Sequence, residues 1–217
     1  MSGKKTADNQ NHIGAKSRMK TGIMGGTFNP VHYGHLIIAE NACCQYGLDR
    51  VIFVPTGHPP HKEFLGDDMC VHRCRMTELA IEGNDHFAMS YMEVESTGIN
   101  YTYLSLKRFH EKYPDDILYF IMGADSLFEL KNWVRPELII QNAVILAAVR
   151  EKMDSESVDR QIEELRKSFG GEIHRLDTPN FDVSSKLIRK RVKDGQTIKY
   201  MTPEAVEDYI KENKLYL

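Results

Sequence analysis

Several things are scarce in this sequence, and each scarcity closes off a class of function. Four cysteines in 217 residues (Cys43, Cys44, Cys70 and Cys74) are too few to staple a chain of this size with disulfides. Cys70 and Cys74 sit four apart around His72, with His58 and His61 upstream, so a zinc site can be sketched. The paired CxxC knuckles of a structural site are missing, however, and reduced, partly buried thiols are the expectation. No apolar run approaches the roughly 20 residues needed to cross a bilayer, and no stretch reads as a secretory signal. A cytoplasmic protein without a membrane partner is expected. Excess positive charge is also missing: 28 Lys and Arg stand against 31 Asp and Glu, a net charge of −3, which offers no field for a long nucleic acid. A small anionic ligand needs only a local positive pocket. Repeats, low-complexity stretches and linkers are absent too. Residues 1–20 have few apolar side chains and no periodicity, so they are expected to be a disordered extension or an expression remnant, with Met19 a plausible native start.

What remains, residues 21–217, reads as a single domain. Hydrophobic residues make up 41% of the chain and charged residues 27%, enough apolar material for one sizeable core. Strand-like runs are expected at 21–25, 50–54, 87–94, 117–122, 143–149 and 172–176. Those at 117–122 and 143–149 are almost continuously apolar, as parallel strands buried on both faces are. Helical patterns lie near 35–46, 71–82, 101–113, 136–141 and 156–168, with two more near 184–194 and 203–213. The alternation predicts an α/β fold, a Rossmann-like doubly wound parallel sheet with helices on both faces and a short C-terminal helical segment. Such a sheet binds ligands at the carboxyl ends of its strands.

The most informative segment is GGTFNPVHYGH, Gly25 to His35, directly behind the first strand. Glycines there let backbone approach a ligand closely. The helix that begins near Gly34 aims free N–H groups at the turn, which favours an anion. His32 and His35 can donate to phosphate oxygens. The segment lacks the third glycine of a dinucleotide fingerprint and the GK[ST] of a Walker loop, so it describes another kind of nucleotide phosphate site. A second segment, Asp182 to Arg189, places Ser184 and Ser185 at a helix start, where hydroxyls cap the helix or bind an anion. Arg189 lies one turn beyond Ser185 on the same face. Val54 to Lys62 is a proline-stiffened loop that carries the cation of Lys62. Beyond it come His72-Arg73, Tyr101-Thr102 and Gly123-Ala124-Asp125. Trp133, the only tryptophan, suits either a planar ligand or core packing.

The segment His32-Tyr33-Gly34-His35 resembles the HxGH signature of the nucleotidyltransferase superfamily. The whole set, with VPxxxPPHK, HR, YTxxxL, GADxxxxLxxW and SSxxIR in this order, is similar to bacterial nicotinate-nucleotide adenylyltransferases across residues 21–217. Two positions depart from that pattern: Asn29 stands where aspartate is common, and Lys186 where the triphosphate motif usually has threonine. The resemblance implies adenylyl transfer from ATP to nicotinate mononucleotide in NAD synthesis, giving deamido-NAD and pyrophosphate. His32, His35 and Arg189 would be catalytic. ATP would meet Gly25, Gly26, Thr27, Phe28, His32, His35, Gly123, Asp125, Ser184, Ser185 and Arg189, with Asp125 at the ribose. The acceptor would meet Asn29, Lys62, Arg73, Thr102 and Trp133. Mg2+ would be held mainly by ATP phosphates, with no protein metal ligand. The histidines would act doubly protonated or in a suitable tautomer. Another acceptor, such as nicotinamide mononucleotide or phosphopantetheine, and a catalytically silent nucleotide-binding protein stay open, as does self-association.

Overall fold

The computed structural model describes residues 18–58, 66–150 and 155–217, apart from the side chain of Arg150. Six strands, β1 (Lys20–Gly26), β2 (Arg50–Pro55), β3 (Phe87–Met89), β4 (Ile117–Gly123), β5 (Val144–Arg150) and β6 (Ile173–Thr178), form one sheet in the order β3-β2-β1-β4-β5-β6. Every neighbouring pair is parallel, with Met24 level with Phe53 on one side and Ile121 on the other. After β1 the chain winds outward through β2 and β3, then returns to lay β4 on the other side of β1. This is the doubly wound order predicted, and its switch point lies between β1 and β4.

Alternation along the buried strands divides the core in two. Ile23, Ile52, Val54, Phe120 and Met122 face one side, with Leu106, Leu127, Ile139 and Ile162 packed onto them. Met24, Val51, Phe53, Ile121 and Leu146 face the other, under Ala39, Met76, Ile188, Val206 and Ile210. The helices supplying the first layer are α3 (Thr102–Lys112), α4 (Ala124–Glu129), α5 (Pro136–Asn142) and α6 (Ser155–Phe169). Those of the second are α1 (Tyr33–Tyr46), α2 (Asp67–Ile81), α7 (Ser185–Lys193) and α8 (Glu204–Glu212). In α6, Val158, Ile162 and Leu165 are buried at helical spacing, as one apolar stripe requires. No described helix is long and apolar enough to cross a membrane.

Three boundaries differ from the sequence expectation. β3 stops at Met89 rather than reaching residue 94, because Ser90 makes the last bond to β2 (N to Phe53 O, 2.9 Å) and its hydroxyl then accepts from Met92 N in a turn. The helix α4 follows β4 without a spacer and is only six residues long, too short to show periodicity. Residues 18–20 belong to the fold: Lys20 opens β1, Met19 O accepts from Ile117 N, and Arg18 Nε donates to Asp115 O at 2.9 Å. The remainder of the N-terminal extension, residues 1–17, lies outside the described residues.

Candidate active site

At the carboxyl end of β1 the chain turns through Thr27–Val31 into α1. Gly26 is required there, since a Cβ would stand 2.8 Å from the Phe28 ring. Phe28 itself takes a left-handed backbone (φ 46°) and is 2% exposed. Its ring meets His35 edge-on at 5.0 Å and Phe53 at 5.7 Å. The Phe28 ring is thus a buried pillar under the turn, and its packing offsets a left-handed conformation costing about 1–2 kcal/mol.

His32 caps α1, and its backbone N–H donates to His35 Nδ1 at 3.2 Å. The two rings stack with centroids 3.8 Å apart. Burial, and then the neighbouring His32, hold His35 well below its ordinary value of 6.5. His35 is therefore neutral near pH 7. Since its Nδ1 accepts a hydrogen bond, its proton sits on Nε2. Of the two protonation options left open by the sequence, a neutral Nε2–H donor is the one this geometry selects for His35.

The C-terminal segments grip the same turn. Arg189 Nη1 donates to Asn29 O at 2.6 Å and Ser185 Oγ to Pro30 O at 2.8 Å. Ser184 caps α7, accepting from Leu187 N at 3.2 Å. The serines and arginine read as phosphate ligands are thus brought to the histidines from about 150 residues away in the chain, with Ser185 and Arg189 engaged on carbonyl oxygens.

Two cavities flank Gly25. One, about 360 Å³, is lined by His32, Gly34, His35, Gly123, Ser126, Thr178 and Ser184. The other, about 230 Å³, is lined by Gly26, Thr27, Thr56, Glu93, Asn100, Thr102, Ser105 and Leu106. Gly25, Phe120 and Trp133 belong to both, so the tryptophan edges the wall between them. Its ring packs against Phe120 at 6.5 Å.

Other expected residues fall elsewhere. Asp125 stands exposed in the first turn of α4 and lines neither cavity, where Ser126 does. Arg73 is 1% exposed, with Nη1 on Thr27 O and Nη2 on Thr56 O, both at 2.7 Å. It ties the ends of β1 and β2 together, with only Nε lacking a partner. Asn29 is buried and its Oδ1 accepts from the Tyr216 hydroxyl at 2.5 Å. Lys62 and the rest of Pro59–Lys62 lie outside the described residues.

Sequence reasoning missed the polar wall of the smaller cavity. Glu93, 7% exposed, accepts from Ser105 Oγ at 2.6 Å. Burial pushes its carboxyl up to about 6, against hydrogen bonds from Ser105 and Thr56 and the charge of Arg108. Gly57 lets this wall close, because a Cβ there would lie 2.3 Å from Glu93 O. Asn100 Oδ1 accepts from His58 N at 2.6 Å and completes the latch. The reading of 87–94 as a strand hid Glu93 from notice.

All four cysteines are free thiols, and burial raises both Cys43 and Cys74 to about 11. Among the described residues, no three His, Cys, Asp or Glu side chains group as metal ligands.

Residues 23–191 match the cytidylyltransferase-like family. A "Probable nicotinate-nucleotide adenylyltransferase" of Lachnoclostridium phytofermentans is 45% identical over 201 residues, covering 91% of this chain and 99% of that protein. One of the same name from a Thermoanaerobacter species is 40% identical, covering 91% and 94%. Among solved structures, nicotinic acid mononucleotide adenylyltransferase of Plasmodium falciparum complexed with NaAD superposes with a TM-score of 0.74 at 20% identity. That match covers 92% of this chain and 98% of the other, a likeness of fold.

Proposed function

The chain belongs to the nicotinate-nucleotide adenylyltransferases of the cytidylyltransferase-like family, and from that premise we propose that it transfers the adenylyl group of ATP to nicotinate mononucleotide, giving deamido-NAD and pyrophosphate. The observation that carries this reading is the shared wall at Gly25, where a cavity beside the histidine pair meets one beside Thr102. A transfer between two bound substrates needs such a junction, because most of its rate comes from alignment.

In the step, an anionic oxygen of the acceptor phosphate bonds to the α-phosphorus of ATP. The bond from that phosphorus to the bridging oxygen breaks, and pyrophosphate leaves with the electron pair. The acceptor is already ionised at neutral pH, so no side-chain nucleophile or base is needed. The protein aligns the partners and stabilises charge at the α-phosphate and leaving group. His35 donates through Nε2–H beside His32. Ser184, Ser185, the N-terminus of α7 and Arg189 take the β- and γ-phosphates, Ser185 and Arg189 sharing or exchanging the carbonyls they hold. Gly25, Gly26 and Thr27 offer backbone to ATP, Gly123 borders its cavity, and Asp125, next to the cavity-lining Ser126 in the first turn of α4, is the residue the ribose would meet. Thr102 and Trp133 border the acceptor ring, and Lys62 serves the mononucleotide phosphate. Imidazole, hydroxyl and guanidinium suit phosphate oxygens better than a hard cation, so Mg2+ fits as an ion carried on ATP phosphates and water. There it would supply charge neutralisation for the leaving pyrophosphate.

Pyrophosphate release from ATP and Mg2+, compared with nicotinate mononucleotide and with its amide, tests the reading. Strong preference for the acid is expected. Silence with both, from a folded protein that still binds ATP, would overturn it.

A further inference from the structure

The turn that carries the two histidines is held residue by residue from the C-terminal segments. Besides Arg189 on Asn29 O and Ser185 on Pro30 O, Thr202 Oγ1 donates to Val31 O at 2.8 Å and Tyr33 N donates to Met201 O at 3.2 Å. The grip also reaches a side chain of the turn, that of Asn29, through the hydroxyl of Tyr216. Leu215, buried against the second core layer, anchors the segment just before it.

A second observation marks the same region. Among the described residues, the non-glycine positions with left-handed backbone are Phe28, Arg135, Tyr200, Lys214 and Tyr216. All but Arg135 lie in the turn or in the segments that grip it. Each such conformation costs on the order of 1–3 kcal/mol and persists only where the surroundings over-determine it. Burial also pushes the Tyr216 hydroxyl above its ordinary range, with Arg189 and Arg73 pulling the other way, so it stays a phenol and donates.

We propose that Tyr216 is a positioning residue: its hydroxyl fixes the Asn29 amide, and through it the turn that aims His32 and His35 at the ATP phosphates. Tyr216 itself lines neither of the cavities flanking Gly25, so it acts through the turn and not by contact. The inference rests on the adenylyl-transfer reading for its catalytic consequence, but not for its structural one.

The test uses Tyr216→Phe, Asn29→Ala and the double variant in the full chain. The imidazole resonances of His32 and His35 are followed by NMR in the ligand-free protein, and kcat and KM are measured for each substrate. Tyr216→Phe keeps the ring and removes one buried hydrogen bond, so kcat/KM for ATP should fall about ten-fold. The acceptor KM should stay within about two-fold, and both imidazole resonances should move. The double variant should be no worse than Asn29→Ala alone, as residues acting in series require. Unmoved resonances, unchanged kcat/KM or additive losses would overturn the proposal, including the case where only thermal stability falls. If the wild type turns over neither mononucleotide, the adenylyl-transfer reading fails while the imidazole resonances still decide this one.

Discussion

The two ends of the sheet are built from the same strands and treat polar groups in opposite ways. At the amino end, Thr21, fully buried, donates to Asp116 Oδ2 at 2.6 Å. Arg50 reaches both, Nε to Thr21 Oγ1 at 3.0 Å and Nη2 to Asp116 Oδ2 at 2.8 Å, while its guanidinium lies 4.3 Å over the Tyr113 ring. Each of these groups answers another, and none lines a cavity at the opposite end. At the carboxyl end the polar groups are held away from their ordinary states: burial keeps His35 neutral and raises Glu93 to about 6. Parallel winding explains the division, because the first two helices after the switch-point strands, α1 after β1 and α4 after β4, begin at the carboxyl end. Their N-termini face the crevice, where an anion gains most. The amino end is left free to be closed, and one end of the sheet is organised for stability while the other retains strain for chemistry.

The sharpest way to break this comparison is His35→Ala. Turnover should fall roughly 10²–10³-fold, as for loss of one preorganised donor to a transition state. The protein should still fold, with a modest loss of stability from the missing acceptor for His32 N–H and the missing contact with Phe28. The folded-state value of His35 lies below 6.5, so as pH drops below 6.5 the unfolded chain takes up the proton first and stability is lost. That contribution is complete above pH 6.5. Without His35, the difference in melting temperature between pH 7.5 and pH 5.5 should shrink. Wild-type turnover in the variant would remove the carboxyl end from the chemistry altogether.

The opposite outcome is expected at the amino end. Asp116→Ala leaves Arg50 and Thr21 without their shared acceptor and should cost about 2–3 kcal/mol in urea unfolding. The kcat/KM values of the protein that remains folded should match the wild type within about two-fold. A loss of activity in step with stability would mean that the two ends are coupled and the division is false.

How much of this was legible in the sequence follows from how local each signal is. The run Ile117 to Met122 announces a strand buried on both faces, and β4 is one. The spacing of Gly25, Gly26, His32 and His35 announces a turn and helix start, which is where they lie. Ser184, Ser185 and Arg189 were legible as a helix start that travels with the histidines. The bracing contacts of Phe28 and Arg73 were not legible because they are remote: a ring packed on Phe53, and carbonyls of Thr27 and Thr56 that lie 46 and 17 residues from the arginine. Tyr216, 187 residues from Asn29, had no local signal at all. Hydrogen bonds to backbone carbonyls leave no residue-type pattern, so a bracing arginine and a phosphate-binding arginine read alike.

The smallest effect, and the finest probe of the carboxyl end, is Glu93→Gln. The Glu93 carboxyl titrates near 6 in the fold and near 4.5 when unfolded, so the fold prefers the protonated form. The resulting stabilisation is fully present below pH 4.5 and lost as pH rises through 6. By pH 8 the buried charge weighs against folding by at most about 2 kcal/mol. Glutamine matches the shape of the protonated acid and carries no charge, so the variant should be more stable than wild type at pH 8, by about 1 kcal/mol, and no more stable at pH 4.5. Ser105 and Thr56 would then face an amide with one acceptor oxygen where the carboxylate offered two. The wall they form borders the smaller cavity, the one proposed for the acceptor, so KM for the mononucleotide should rise several-fold while KM for ATP holds. A variant less stable than wild type at pH 8 would place Glu93 with the satisfied network at the amino end, as a group whose charge the fold wants.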